Sequence, residues 1–311
     1  MNPAEPPSAA AAGAPARAAA LPRSVGVLGT GLIGGSLLLA LRRLLPRAEL
    51  RAGAPSARTR EAVRASGAAD IVFDPVATPP EEALRGCDVV FMAAPPEAVC
   101  RDLPRMARAG AGIVSDVCSV KGSVLAAARG LGNFVGGHPM AGTEGVGFGA
   151  ADPDLFRGAA FILCIPPDYS AGEERLASFR ALVEALGMRL FEMDAGAHDR
   201  RLAMISHLPH VAAFALAAEA AASRDPLLAR LVGGGFRDTT RIAASSPALW
   251  TDILRASPAL PAALDAYVAA LSRLRAALDP AVPPSELRSL LEEAETYRRA
   301  IPEGLHRVPH A

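Results

Sequence analysis

Val25-Gly26-Val27-Leu28-Gly29-Thr30-Gly31-Leu32-Ile33-Gly34 is the stretch on which the fold turns. An apolar run at 24–28 has strand character, G-x-G-x-x-G follows, and a helical stretch opens at Leu32. A glycine finger between a first strand and a first helix marks a Rossmann-type, dinucleotide-binding unit. Gly29 permits the tight turn, Gly31 lets the backbone approach a pyrophosphate, and Gly34 lets the helix pack on the strand. The expected cofactor segment is Gly29, Thr30, Gly31, Leu32, Ile33 and Gly34, with the helix start supplying unpaired N–H groups to the phosphates.

Outward from the finger, short apolar runs alternate with helical stretches. Strands are expected at 24–28, 49–53, 88–93, 112–117, 133–137, 159–165 and 189–193, which predicts a doubly wound parallel sheet. The 88–93 run is apolar almost throughout, as a strand covered on both faces should be. From His198 to Ile301 no strand pattern is visible, and Ala- and Leu-rich helical segments take over. The expected organisation is an Ala/Pro-rich disordered tail at 1–22, a Rossmann domain at 23–194, an all-α domain at 195–302 and a short tail at 303–311. The stretch 211–222 is apolar almost all round, so it requires burial on more than one side, within one subunit or across a homodimer.

Composition narrows the function classes. The 311 residues carry 32 basic and 32 acidic groups, so the net charge is zero, and neither nucleic acid nor an anionic membrane is the expected partner. No apolar run reaches the length of a membrane span. The four cysteines have no metal-ligand spacing, no metal is expected, and the default compartment is the reducing cytoplasm. Lys121 is the only lysine, which reads as coding bias.

Ligands of open α/β sheets bind beyond the carboxyl ends of the strands. Three such ends carry Ala94-Pro95, then Cys118-Ser119-Val120-Lys121, then His138-Pro139-Met140-Ala141-Gly142-Thr143-Glu144. The small Ala94-Pro95 loop lets backbone pass close to a cofactor. His138 suits a general base, because a neutral imidazole accepts a proton near pH 7. A structural histidine is the alternative, but its place beside the cofactor crevice favours catalysis. Ser119 is placed to orient that imidazole or to cap the next helix. The end of the second strand, 53–60, holds no carboxylate for a ribose 2′-hydroxyl. It offers Ser56, Arg58 and Arg60 instead, which predicts NADP in preference to NAD.

The helical half adds Ser206-His207-Leu208-Pro209-His210 and, further on, Arg237-Asp238-Thr239-Thr240-Arg241. No third ligand accompanies His207 and His210, which argues against a metal. An arginine fork suits a substrate carboxylate, and an ion pair with Asp238 is the structural alternative for Arg241. Trp250, on its own, reads as core.

Taken in order, VGVLGTGLIGGS (25–36), SDVCSVKG (115–122), GGHPMAGTEGVGF (136–148), ISHLPH (205–210) and GGGFRDTTRIAASSPALW (233–250) resemble the prephenate/arogenate dehydrogenase family of tyrosine biosynthesis. The resemblance spans nearly the whole chain after the tail. It implies oxidative decarboxylation of prephenate or arogenate with hydride transfer to NADP or NAD. His138 would take the 4-hydroxyl proton and Ser119 would orient it. Arg241 would grip a carboxylate and His210 the side-chain end of the substrate. Thr143, Glu144, Ser206 and His207 would line the pocket, Asp238 would support Arg241, and Trp250 would lie near a partner's site in a homodimer. No regulatory or mutase module is visible. A β-hydroxyacid or imine reductase, and a non-catalytic dinucleotide sensor, share this domain plan and remain the alternatives.

Overall fold

The computed structural model describes residues 20–143 and 145–302. Its first half alternates β1 (Ser24–Leu28), α1 (Leu32–Leu44), β2 (Glu49–Gly53), α2 (Ala57–Ser66), β3 (Ile71–Phe73), the short α3 (Pro80–Ala83), β4 (Val89–Met92), α4 (Pro96–Asp102), β5 (Ile113–Asp116), α5 (Gly122–Ala127) and β6 (Phe134–Pro139). Then come β7 (Ala160–Cys164), α6 (Glu173–Ala185) and β8 (Arg189–Glu192). The rest is helical: α7 (Ala195–Leu202), α8 (Leu208–Ala222), α9 (Leu228–Leu231), α10 (Gly234–Thr240), α11 (Pro247–Ala256), α12 (Leu260–Ala277) and α13 (Pro284–Ala300).

The strands form one sheet in the order β3-β2-β1-β4-β5-β6-β7-β8. β1 to β6 run parallel, and the order reverses between β1 and β4, which opens the ligand crevice at their carboxyl ends. Two details depart from the sequence reading. β3 was not expected, and β7 pairs antiparallel with β6, so the last two strands run against the other six. Neither apolar pattern nor strand length encodes direction.

Successive residues of β4 feed two different cores. Val89 and Phe91 join a cluster with Leu37, Leu41 and Phe179, whereas Val90 and Met92 join one with Val99, Leu103 and Phe134. Alternation to two covered faces is why the strand reads as a continuous apolar run.

α7 and α8 form one continuous 28-residue helix, Ala195–Ala222, joined by a π-helical turn at Ala203–His207. Leu208 N–H reaches back to Ala203 O, a five-residue step. Pro209, which has no N–H to give, lies inside this continuous helix directly after the π turn, whose widened backbone accommodates it. The helix is long and apolar enough to cross a bilayer by length and composition alone. It carries buried His198, Asp199 and His207 into a polar network, which a lipid-facing span would leave unsatisfied. The expected tails fall outside the described residues, apart from 20–22.

Candidate active site

The finger has the predicted geometry. Gly29 has φ +97°, and a Cβ there would lie 2.7 Å from the Ala93 backbone. A Cβ on Gly34 would lie 1.8 Å from Gly29 O, so α1 can approach β1 only with glycine there. A Cβ on Gly31 would meet nothing within 4 Å. The start of α1 has no side-chain cap, and Thr30 Oγ1 is buried with no hydrogen-bond partner among the described residues. Uncapped N–H groups, a buried orphan hydroxyl and open space over Gly31 fit a dinucleotide pyrophosphate. Leu32 and Ile33 lie in the first turn of α1. Ala94 and Pro95 follow β4 beside Gly29, where a Cβ would also come within 2.8 Å of Ala94 N.

At the end of β2 the expected anion ligands divide. Ser56 caps α2, accepting from Thr59 N at 3.4 Å. Arg60 is engaged by Asp74 at 2.9 Å and by the Ala54 and Pro55 carbonyls. Arg58 is exposed in the first turn of α2. A side chain at Gly53 would collide with Phe73 and Leu28, at 2.6 and 2.8 Å.

His138 closes β6 and is 6% exposed. Its Nδ1 lies 2.9 Å from His198 Nε2, and the two rings meet edge-on at 5.1 Å. Ser119, expected to orient the imidazole, makes no hydrogen bond to it; the ring's partner is a histidine of the helical half. His198 Nδ1 in turn lies 2.8 Å from Asp199 Oδ1. That carboxylate accepts the backbone N–H groups of Lys121 and Gly122, at 2.8 Å each. The sequence reading missed both residues. A His-Asp pair near a helix start looks solvent-facing, and only the tertiary fold turns it under β6.

Lys121 is fully buried and paired with Asp116 at the end of β5. Asp116 also accepts Gly137 N at 3.0 Å and Cys118 N at 2.9 Å. The sole lysine is therefore a structural centre, contrary to its reading as coding bias. Its side chain, through Asp116, holds the backbone just before His138. Its own N–H, through Asp199 and His198, holds the His138 ring.

His207 is fully buried and shares a 2.8 Å hydrogen bond with Ser257 Oγ. The Ser119 backbone lies against its ring, yet Nε2 has no well-formed hydrogen bond among the described residues. His210 Nδ1 is 2.9 Å from Ser206 O, and Trp250 stacks on the His210 ring with centroids 3.4 Å apart and planes at 20°. Trp250 thus packs against a site histidine of its own chain. Arg241 begins a 3-10 turn, and its charge reaches the His210 ring. Asp238 is exposed on α10. Thr143 is exposed, its Oγ1 accepting from Gly145 N, and Glu144 lies outside the described residues.

Burial dominates the electrostatics. It holds His138 well below the ordinary imidazole value, aided by His198, Lys121 and His207. It pushes His207 down to about 4 and also lowers His198 and His210. Burial works to raise Asp199, but hydrogen bonds from His198, Lys121 and Gly122 overcome it and hold the carboxyl below its usual value. At neutral pH the site is a set of uncharged imidazoles beside an arginine, able to accept a proton next to a bound anion. Among the described residues no group of three metal-ligating side chains occurs.

Comparison with known proteins accords with this geometry. Residues 40–192 match the nucleotide-binding domain of prephenate dehydrogenase, and residues 194–293 match its dimerization domain. The chain is 36% identical over 266 residues to a cyclohexadienyl dehydrogenase of Zymomonas mobilis, covering 82% of this chain and 88% of that protein. It is 34% identical to the Bacillus subtilis prephenate dehydrogenase, covering 73% of this chain and 62% of that one. Among solved structures, a prephenate dehydrogenase from A. aeolicus in complex with hydroxyphenyl propionate and NAD+ aligns with TM-score 0.79 at 27% identity, covering 89% of this chain and 97% of that one. The Synechocystis arogenate dehydrogenase aligns with TM-score 0.71 at 30% identity, covering 89% and 99%. With both halves matched in order, the chain belongs to the prephenate dehydrogenase family.

Proposed function

We propose that the protein catalyses the NAD(P)-dependent oxidative decarboxylation of prephenate or arogenate, the step that forms the aromatic ring in tyrosine biosynthesis. The observation that carries this reading is a buried, neutral imidazole, His138, at the crevice where the finger receives a dinucleotide. A dinucleotide held by the finger would supply the hydride acceptor for ring carbon 4. His138 takes the proton of the 4-hydroxyl, so that a carbonyl can form there. Loss of carbon dioxide returns electrons to that oxygen, and His138 gives the proton back to it, leaving a phenol. Arg241, an exposed guanidinium with the half-buried His210 ring beside it, receives the substrate's carboxylate-bearing end through its planar fork of N–H donors. Thr143, Glu144, Ser206, His207, Asp238 and Trp250 complete the substrate surroundings, and Ser119 contributes through its backbone beside His207.

For the cofactor we favour NADP. The end of β2 has no carboxylate, Gly53 has no room for a side chain, and Arg58 is exposed at the mouth of α2 with no ion pair among the described residues. The helical half is read as a homodimer interface. Leu231, Leu271, Leu278 and Leu291 are exposed in the single chain, and an apolar groove of about 640 Å³ opens between Ala217, Leu228 and Phe236. None of the site histidines lines that groove. Four free cysteines suit the cytoplasm.

One assay tests the reading: each of prephenate and arogenate with each of NAD and NADP. Turnover of at least one substrate is expected, with the lower KM for NADP; a much lower KM for NAD overturns the cofactor preference. His138→Ala should cut kcat by about 100-fold or more while binding persists. Arg241→Ala should act chiefly on the substrate KM. Near-normal turnover by His138→Ala would refute the base assignment.

A further inference from the structure

The hydrogen-bond chain behind His138 runs through groups whose proton positions are forced. Asp199 accepts Lys121 N and Gly122 N, and a carboxylate is an acceptor only, so the ring nitrogen facing it, His198 Nδ1, carries the proton. A neutral imidazole has one N–H, which leaves His198 Nε2 as a bare lone pair. The His138 Nδ1 that lies 2.9 Å away must then donate. The proton of His138 is committed to Nδ1, and its Nε2 is left as the acceptor.

We propose that His198 and Asp199 are positioning residues that fix His138 in the tautomer able to act as a base. This rests on the reading of His138 as that base. His198 is 0% exposed and Asp199 3%, so water does not compete for these bonds. The contact between the halves is tight. A Cβ at Gly122 would come within 2.9 Å of Asp199 Oδ2, so glycine at the head of α5 is what lets the carboxylate sit there. When Nε2 takes the hydroxyl proton, the O–H bond breaks, its electron pair stays on oxygen, and an N–H bond forms. The resulting imidazolium keeps Nδ1–H on His198, a charge-assisted hydrogen bond stronger than the neutral one. If the His198 proton sat on Nε2 instead of Nδ1, His198 would donate to His138 Nδ1. The His138 proton would then move to Nε2 and the lone pair would turn away from the substrate.

Two measurements test the proposal. Nitrogen-15 NMR of the wild-type protein labelled at histidine should show His138 protonated at Nδ1 and bare at Nε2 near pH 7. The opposite tautomer overturns the proposal without any variant. In kinetics, His198→Phe removes the acceptor and keeps a planar ring. It should lower kcat by about 10- to 100-fold, with both KM values within about twofold. His198→Gln, which keeps an acceptor near the Nε2 position, should recover most of that loss. Equal losses for Phe and Gln, or a Phe variant within about twofold of wild type in kcat, would assign His198 to packing alone. The base reading fails separately, through His138→Ala: if that variant turns over normally, His138 itself is not the base.

Discussion

At the residue scale the two crowding extremes of the finger give opposite predictions. Gly34 has no space for a methyl group, whereas Gly31 has nothing within 4 Å. Gly34→Ala should therefore lower Tm of the protein without cofactor, because a clash with Gly29 O must be relieved by moving α1. Gly31→Ala should leave that Tm unchanged and weaken dinucleotide binding by about tenfold, roughly 1.4 kcal/mol. Calorimetry and a cofactor titration separate the two, and an unchanged cofactor affinity for Gly31→Ala would remove Gly31 from the binding surface. The finger was legible because its spacing is local, and so was His138, which follows its strand directly. His198, Asp199 and the buried Lys121 were not. His198 reaches His138 across 60 residues and Asp199 reaches the Lys121 backbone across 78, while the Lys121 side chain pairs with Asp116 only five residues away but is buried by the tertiary fold alone.

Among the elements, the strands were readable wherever both faces are covered, as in β4, because burial on two sides leaves an unbroken apolar run. β3 escaped notice because it is three residues long and its Ile71 is 44% exposed, so it carries almost no burial signature. The continuity of α7 and α8 was hidden by Pro209, which reads as a boundary until the π turn is seen to absorb it. The junction of β5, α5 and β6 is knotted by the buried Lys121–Asp116 pair, and breaking such a pair leaves one buried charge without its partner. Lys121→Met should thus cost about 3–5 kcal/mol of stability. Chemical denaturation measures it, and a loss under about 1 kcal/mol would mean that Asp116 is satisfied by its backbone donors alone.

For the molecule as a whole, the site histidines tie stability to pH. His138, His198, His207 and His210 all have folded values below the ordinary 6.5, so the unfolded chain binds more protons between 6.5 and those values. Stability is then fully present above 6.5 and falls as the pH drops through that window. For His207, whose value is about 4, the loss on going from 6.5 to 4 is on the order of 3 kcal/mol. Urea midpoints should be clearly lower at pH 5 than at pH 7.5; equal midpoints would show that these imidazoles titrate normally. The π turn also sets the rotation between the two joined halves of the helix. In a regular helix, nine residues at about 100° each would set His198 and His207 on opposite sides of the rod. The wider turn at Ala203–His207 advances less per residue and subtracts part of that angle, bringing the two rings towards a common direction. His210, three residues further on, stays about 60° from His207. The turn acts as a phase shifter: it lets one rod present its first histidine to His138 and its later ones to Trp250.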